Sequence, residues 1–261
     1  MSDLEYIRAS SINTYIECSA KFYFQNIEQV QVPNKPALAF GASIHKALET
    51  NFKQKVATRK DLPLEEVKEV FSDTLDNEFQ NVEPNDFEEK PGAYKDSGIE
   101  LVEKYQKEHA YRIFPKYAEQ KISVKFKGID YGLTGTIDLV DEDNVLIDHK
   151  TTSRQVTKVP QAYQIQVGGA YPFLLKTLTK EPVNGIRVDF LIRKGAKTTY
   201  TQILPVKIDY DERYFFNVFL DVTTGIKNGV FIPNRSHMYC SKRFCQYWSV
   251  CINKFGGKVK E

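Results

Sequence analysis

Hydrophobic periodicity changes once along this chain, near Pro115, and that change limits the fold more than any other feature. Before it, apolar residues recur three and four apart: Phe40, Ile44, Leu48 and Phe52 share one helical face, as do Val67, Val70, Phe71 and Leu75. After it, Lys121-Ile-Ser-Val-Lys-Phe-Lys127 alternates polar and apolar residues, the period of a half-buried strand. The spacing predicts helices over about 12–24, capped by Ser10 or Ser11, over 38–56, from Pro63 onward, and over 94–114, ended by Pro115. The acidic stretch with Pro84, Pro91 and Gly92 reads as a loop. Strands at 121–127, 133–140 and 145–151, joined by turns at 128–132 and 141–144, form a meander. A helix over 160–178, strands at 186–192 and 200–208, and a helix over 211–228 stopped by Gly229 follow. This order predicts an α/β core with a helical region packed on it. We expect a single domain over 1–261, with a helical region at 1–115, a core at 116–230 and a tail at 231–261 too short to fold alone.

The 261 residues suffice for a sizeable core, and the net charge of +2 sets up no general field for a polyanion. Nucleic acid would therefore bind to a local patch. The start, Met-Ser-Asp-Leu-Glu-Tyr, has neither a basic nor an apolar segment, and no apolar run approaches a membrane span. The expected setting is the cytoplasm, that of the host for a phage-encoded chain, with no membrane partner.

One charge cluster stands out. The second strand of the meander carries Gly135-Thr-Ile-Asp138, and the third carries Leu146-Ile-Asp148-His-Lys150. Paired strands set Asp138 beside Asp148, and residues two apart put Lys150 on the same face as Asp148. Asp-x-Lys alone is a weak signal, and Asp148 and Lys150 can be read as ordinary strand-end residues. Its weight comes from the apolar Val145-Leu-Ile running straight into Asp148, because a buried charge is costly unless paired or metal-bound. Two carboxylates and an ammonium are what metal-assisted phosphodiester hydrolysis requires: hard oxygen ligands for Mg2+ or Mn2+, and a cation to orient water. The carbonyl of His149 is a further candidate ligand.

The four cysteines are placed unevenly: Cys18 near one end, and Cys240, Cys245 and Cys251 near the other. Their spacing suits iron–sulfur or zinc, and sulfur ligation alone does not choose between them.

Gly-x-Ile-Asp138, then Asp148-x-Lys150, then a Gln-rich helix with a Tyr, resembles the RecB-type branch of the PD-(D/E)XK nuclease superfamily. Phe40-Gly-Ala-Ser-Ile-His45 matches its upstream Gly-x-x-x-His segment. The resemblance implies a restriction-endonuclease-like mixed sheet and makes His45 a metal ligand with Asp138 and Asp148; unaided, His45 reads as a surface or core histidine. It also implies that Gln166 and Tyr171 contact the lysine, the water or the DNA backbone. Here the chain departs from the pattern: Gln166 and Tyr171 are five apart, which turns an α-helix by about 500° rather than 400°. Gln161 and Gln164 compete with Gln166, and Tyr163 with Tyr171, while Gly168-Gly169 leaves room for a bulge or for close approach of another element. Glu119 stands where the family often has a carboxylate, and equally reads as a solvated strand end.

Ser10-Ser-Ile-Asn-Thr-Tyr15-Ile-Glu-Cys18 and Cys240-Ser-Lys-Arg-Phe-Cys245-Gln-Tyr-Trp-Ser-Val-Cys251 are similar to the iron–sulfur subset of that branch. The subset includes the AddB helicase-nuclease subunit and the CRISPR adaptation nucleases, and this form looks most like its stand-alone phage-type members. The resemblance implies a structural [4Fe-4S] cluster on Cys18, Cys240, Cys245 and Cys251, with zinc as the alternative. It further implies a DNA exonuclease acting on single strands or ends in recombination, repair or phage replication. The alternatives are a CRISPR adaptation nuclease trimming spacer ends and a catalytically silent DNA-binding or complex-building module. No Gly-x-x-x-x-Gly-Lys-Ser/Thr motor motif is present, so a helicase or recombinase partner is expected where a motor is needed. Candidate phosphate contacts are Lys121, Lys125, Lys127, Arg154, Lys158, Arg193, Lys194, Lys197, Lys242 and Arg243, all of which also read as solvated surface.

Overall fold

One strand organises the sheet. In the computed structural model, which describes residues 4–160, 163–195, 198–206 and 212–257, β3 (Gly132–Asp141) has three neighbours. β2 (Pro115–Val124) runs antiparallel along its whole length. The opposite edge is shared. β1 (Tyr6–Arg8) pairs parallel with Gly132, Leu133 and Thr134, and β4 (Val145–Thr152) pairs antiparallel at Leu139 and Val140. β4 then pairs parallel with β5 (Gly185–Arg193), which pairs antiparallel with β6 (Thr199–Pro205). The expected mixed sheet with a strand meander is therefore present. β1 was not expected, since three residues are too few to show a period.

Helices cover both faces. α1 (Ala9–Glu17), α6 (Tyr171–Thr179) and α7 (Glu212–Lys227) pack on one face through Ile12, Leu174, Phe215 and Phe219 against Leu146, Val188 and Phe190. α3 (Pro36–Thr58), α4 (Leu64–Phe79) and α5 (Pro91–Glu108) form the other layer, with Phe52, Phe71 and Tyr105 packed with Leu139, Ile147 and Leu191. This is the restriction-endonuclease-like α/β arrangement, with the helical half of the sequence on one side of the sheet.

Three departures have local causes. The first helix starts at Ala9 behind Arg8, with no side-chain cap from Ser10 or Ser11, because β1 leads directly into it. It breaks at Cys18, whose φ of −161° is extended, and resumes as the single turn α2 (Ser19–Phe22) and a π-helical turn, Tyr23–Ile27. β2 begins at Pro115 rather than 121 because its alternation slips. Ala118 packs in the α3–α5 layer and Ile122 in the opposite core, although residues four apart in a regular strand share a face. The slip falls at Glu119, which takes φ of 50°; its neighbours pair with Ile137 and Leu139, which likewise enter opposite cores around Asp138. The tail folds back on α1 and α2 and ends in α8 (Trp248–Phe255).

Candidate active site

The site lies where β3 and β4 stop pairing. Beyond Leu139 the two strands exchange no further ladder bonds, and the Asp138 side chain takes over: its Oδ2 accepts the His149 backbone N–H at 2.8 Å. His45 reaches the same carboxylate from α3, with Nδ1 at 3.4 Å from Asp138 Oδ2. Gly41 makes this approach possible. A Cβ there would lie 2.9 Å from Thr151 Oγ1, so only glycine lets α3 settle so close to β4 one turn before His45. Glu119 enters from β2 in its left-handed conformation. His45, Glu119 and Asp138 each present one donor atom within 4.8 Å of the other two. One imidazole nitrogen and two carboxylate oxygens form a set suited to a divalent cation.

Asp148 is fully buried on β4, and Lys150 Nζ lies 2.9 Å from its Oδ1 and 2.8 Å from its Oδ2. The sequence expected Asp148 among the metal ligands. The structure sets it outside the three-donor group, held by the lysine, with Glu119 in the group instead.

The charges are unequal. Burial and the charges of Asp138 and Glu49 push the Glu119 carboxyl up to about 8. Burial works against the Asp138 carboxylate, but His45 and Lys150 outweigh it and hold Asp138 below the usual range. Asp148 moves the other way, raised by burial against the pull of Lys150. Burial opposes the Lys150 charge too, yet Asp148 and Asp138 keep it above an ordinary lysine. Burial lowers His45 against the pull of Asp138, which eases loss of the ring proton on ligation.

The His149 ring points to the other side of β4. It stacks on Phe52 at 5.9 Å, and its Nε2 lies 2.9 Å from Tyr105 Oη. The Tyr105 hydroxyl donates to Asp189 Oδ2 at 2.6 Å, so it accepts from His149 Nε2–H, and Arg187 Nε lies 3.0 Å from Asp189 Oδ1. Burial holds His149 down at about 4, so the ring is neutral. This network fixes the residue whose N–H clamps Asp138. Sequence reasoning missed it, although the signal was there: Asp189 interrupts Ile186-Arg-Val-Asp-Phe-Leu-Ile192 just as Asp148 interrupts its own strand.

The segment Gln164–Ala170 is π-helical, so residues five apart share a face, and Gln166 Nε2–H donates to Tyr171 Oη. Gly169 also admits α7, since a Cβ there would lie 3.0 Å from Phe215. Both expectations for the glycine pair thus meet in one place. Tyr163 offers its ring to Lys150 Nζ at 5.7 Å; Gln161 lies outside the described residues.

The family model for the PD-(D/E)XK nuclease superfamily matches residues 7–252. The chain belongs to that superfamily. Its nucleases use divalent metals, and the His45, Glu119 and Asp138 donors fit one. A crystal structure from Eubacterium rectale, provisionally assigned as an exonuclease, superposes with a TM-score of 0.59 at 13% identity, covering 98% of this chain and 90% of the other. The structure of SSO0001 gives a TM-score of 0.45 at 11% identity over 96% of this chain and 88% of the other. No curated protein matches in sequence.

Away from the carboxylates of this superfamily member, Cys18, Cys240, Cys245 and Cys251 line one cavity of about 70 Å³. Their segments are tied across the chain ends: Tyr15 Oη donates to Val230 O at 2.7 Å, Asn234 Nδ2 to Glu17 O at 2.9 Å, and the Asn234 backbone N–H to Cys18 Sγ at 3.4 Å. All four are free thiols, and burial raises Cys245 and Cys251.

Several candidate cations have other work. Arg193 is buried, bonded to Ser97 and Glu89 and 4.0 Å from the Tyr94 ring centroid. Lys125 pairs with Glu5, Arg243 with Glu88, and Lys242 lies over Trp248. Lys127, Arg154, Lys158 and Lys194 are exposed, and Lys197 lies outside the described residues. Among the described residues, no helix is long and apolar enough to cross a membrane.

Proposed function

We propose that this protein is a Mg2+- or Mn2+-dependent deoxyribonuclease that removes nucleotides from single strands or DNA ends. The observation that carries this reading is the convergence, at one strand divergence, of a His–Glu–Asp donor set and a buried Asp–Lys pair. His45, Glu119 and Asp138 hold the metal, with the His149 backbone beside them. When bound, the metal acidifies a water and neutralises charge on the phosphate. Asp148 keeps the Lys150 ammonium charged and aimed; that ammonium orients the attacking water and stabilises charge developing on the phosphoryl oxygens. Gln166 and Tyr171, joined by their hydrogen bond, wall the lysine on the α6 side. Incubating end-labelled single-stranded and duplex DNA with Mg2+, Mn2+ or EDTA tests this reading. Stepwise, metal-dependent shortening is expected, and intact substrate under every metal condition overturns it.

The four cysteines hold a [4Fe-4S] cluster in this reading. All four cysteines line one cavity, which supports a single group shared by them. Metal analysis of anaerobically purified protein decides: iron and sulfide are expected, and stoichiometric zinc in their place sinks the assignment.

A further inference from the structure

We propose that an open cleft beside β1 binds the single-stranded stretch of the substrate next to the scissile bond, and that it reads unpaired bases as well as phosphates. The inference rests on the nuclease reading and adds the substrate's form. The cleft encloses about 700 Å³. Its floor is the outer face of β1, β2 and β3, presenting Arg8, Lys121, Ser123 and Thr134. These side chains sit opposite the buried Ile7, Ile122 and Leu133, beyond the alternation slip at Glu119, where the α3–α5 layer no longer covers the sheet. Lys121 is two residues along β2 from Glu119, so the cleft and the metal site share this strand.

Its chemistry is selective. No acidic side chain among the described residues lines this cleft. Among the described residues, Arg8 and Lys121 have no acidic partner, whereas Lys125 on the same strand is paired with Glu5. In a chain of net charge +2, a surface that pairs Arg8 and Lys121 with no described carboxylate is a place where phosphates can settle.

The walls are amides rather than further cations. Gln25 and Gln29 come from the segment after α2, and Gln246 from the cysteine-bearing tail; among the described residues their side chains have no hydrogen-bond partner. An amide offers both a donor and an acceptor, which matches base edges. A duplex hides its Watson–Crick edges and presents phosphates, for which lysine and arginine are the usual partners. Tyr6 adds an aromatic ring, lying over Gly132 so closely that a Cβ there would come within 2.5 Å of it. Rings of this kind stack on unpaired bases.

The test separates binding from hydrolysis. Fluorescence anisotropy in EDTA compares a labelled single-stranded 12-mer with the same sequence as a blunt duplex, for wild type, Arg8→Glu/Lys121→Glu and Gln25→Ala/Gln246→Ala. Hydrolysis of bis(p-nitrophenyl) phosphate with Mn2+, a substrate too small to span the cleft, is followed in parallel, and thermal melts check folding. The charge reversal should weaken single-strand binding by at least about tenfold and reduce the salt slope by about two. The amide pair should narrow the preference for single strand over duplex by about fivefold. Both variants should hydrolyse the small substrate as the wild type does. Folded variants that bind the single strand as tightly as the wild type, or a wild type that prefers the duplex, overturn the proposal. Absence of small-substrate and DNA hydrolysis in the wild type would instead count against the nuclease reading, and the binding comparison would still decide the cleft.

Discussion

The carboxylate site and the cysteine cavity hold their donors by different means. At the first, His45, Glu119 and Asp138 sit on one long helix and two paired strands, and Asp138 is clamped by a backbone N–H. At the second, Cys18 is a break between two helices, and its partners lie more than 220 residues away, in a tail held by loop hydrogen bonds. The first set is buried and crowded with like charge, which together raise Glu119, and it keeps its shape because the sheet imposes it. The second owes its closure to packing between loops and short helices, with Phe24 stacked on Tyr247 and Lys254 paired with Glu28. A strand-borne site should therefore tolerate loss of its metal, whereas a loop-borne one should depend on its ligand for stability.

The largest effect expected is on turnover. Asp148→Asn keeps the shape of a buried side chain and removes the partner that aims Lys150, so cleavage of labelled DNA should fall by about a thousandfold or more with the melting temperature held. Lys150→Ala should be equally inactive. Wild-type turnover in either variant breaks the functional half of the comparison.

Next comes Cys245→Ser. Removing one ligand of a group that closes so long a loop should lower the melting temperature by roughly 10 °C. Visible absorbance should be lost as well, while Mn2+ affinity at the carboxylate site stays unchanged. Equal stability with and without the ligand would erase the contrast between the two sites.

The sequence made the carboxylate site more legible than its surroundings. Asp138, Asp148 and Lys150 were readable because strand period fixes which side chains share a face, and burial of charge in an apolar strand demands a reason. Glu119 stayed ambiguous: its left-handed backbone erases the alternation that would have marked it, and the same slip hid the first half of β2. β1 was too short to have a pattern. Gln166 and Tyr171 looked out of register on an α-helical count, and a π-helical turn removes the difficulty. Tyr105 and Asp189 were invisible as partners, because 84 residues separate them and only the packed fold brings them together.

A pH series sharpens the comparison further. Glu119 has a folded pKa of about 8, above its ordinary value of 4.5, so the folded state retains a proton that the unfolded chain releases between those values. Stability is thus lost as pH rises through this window. Glu119→Gln should stabilise the metal-free protein more at pH 9 than at pH 4, and Mn2+ should restore the advantage to the wild type. Thermal melts at both values check this; a pH-independent difference would mean that Glu119 is not under electrostatic strain.

The smallest effect concerns Tyr105→Phe. It leaves His149 Nε2 and Asp189 each short of a partner, at a cost of about 1–3 kcal/mol, readable as a lower denaturation midpoint. Turnover should fall a few-fold through looser clamping of Asp138, with KM unchanged. A KM effect alone would assign the network to substrate binding.

The shared edge of β3 has a consequence for how the chain reaches its final form. β1 is three residues long and meets its partner more than a hundred residues downstream, so its pairing is among the least local contacts in the sheet. Such contacts pay a large chain-closure entropy and are expected to form late. Cys18 follows β1 within one helix, so it is delivered by the same late docking step. The other three cysteines lie more than 220 residues downstream of Cys18 and leave the ribosome only after the hydrolytic strands. Assembly of the cysteine site therefore follows synthesis of the sheet, and a chain interrupted between the two would carry the hydrolytic strands without it.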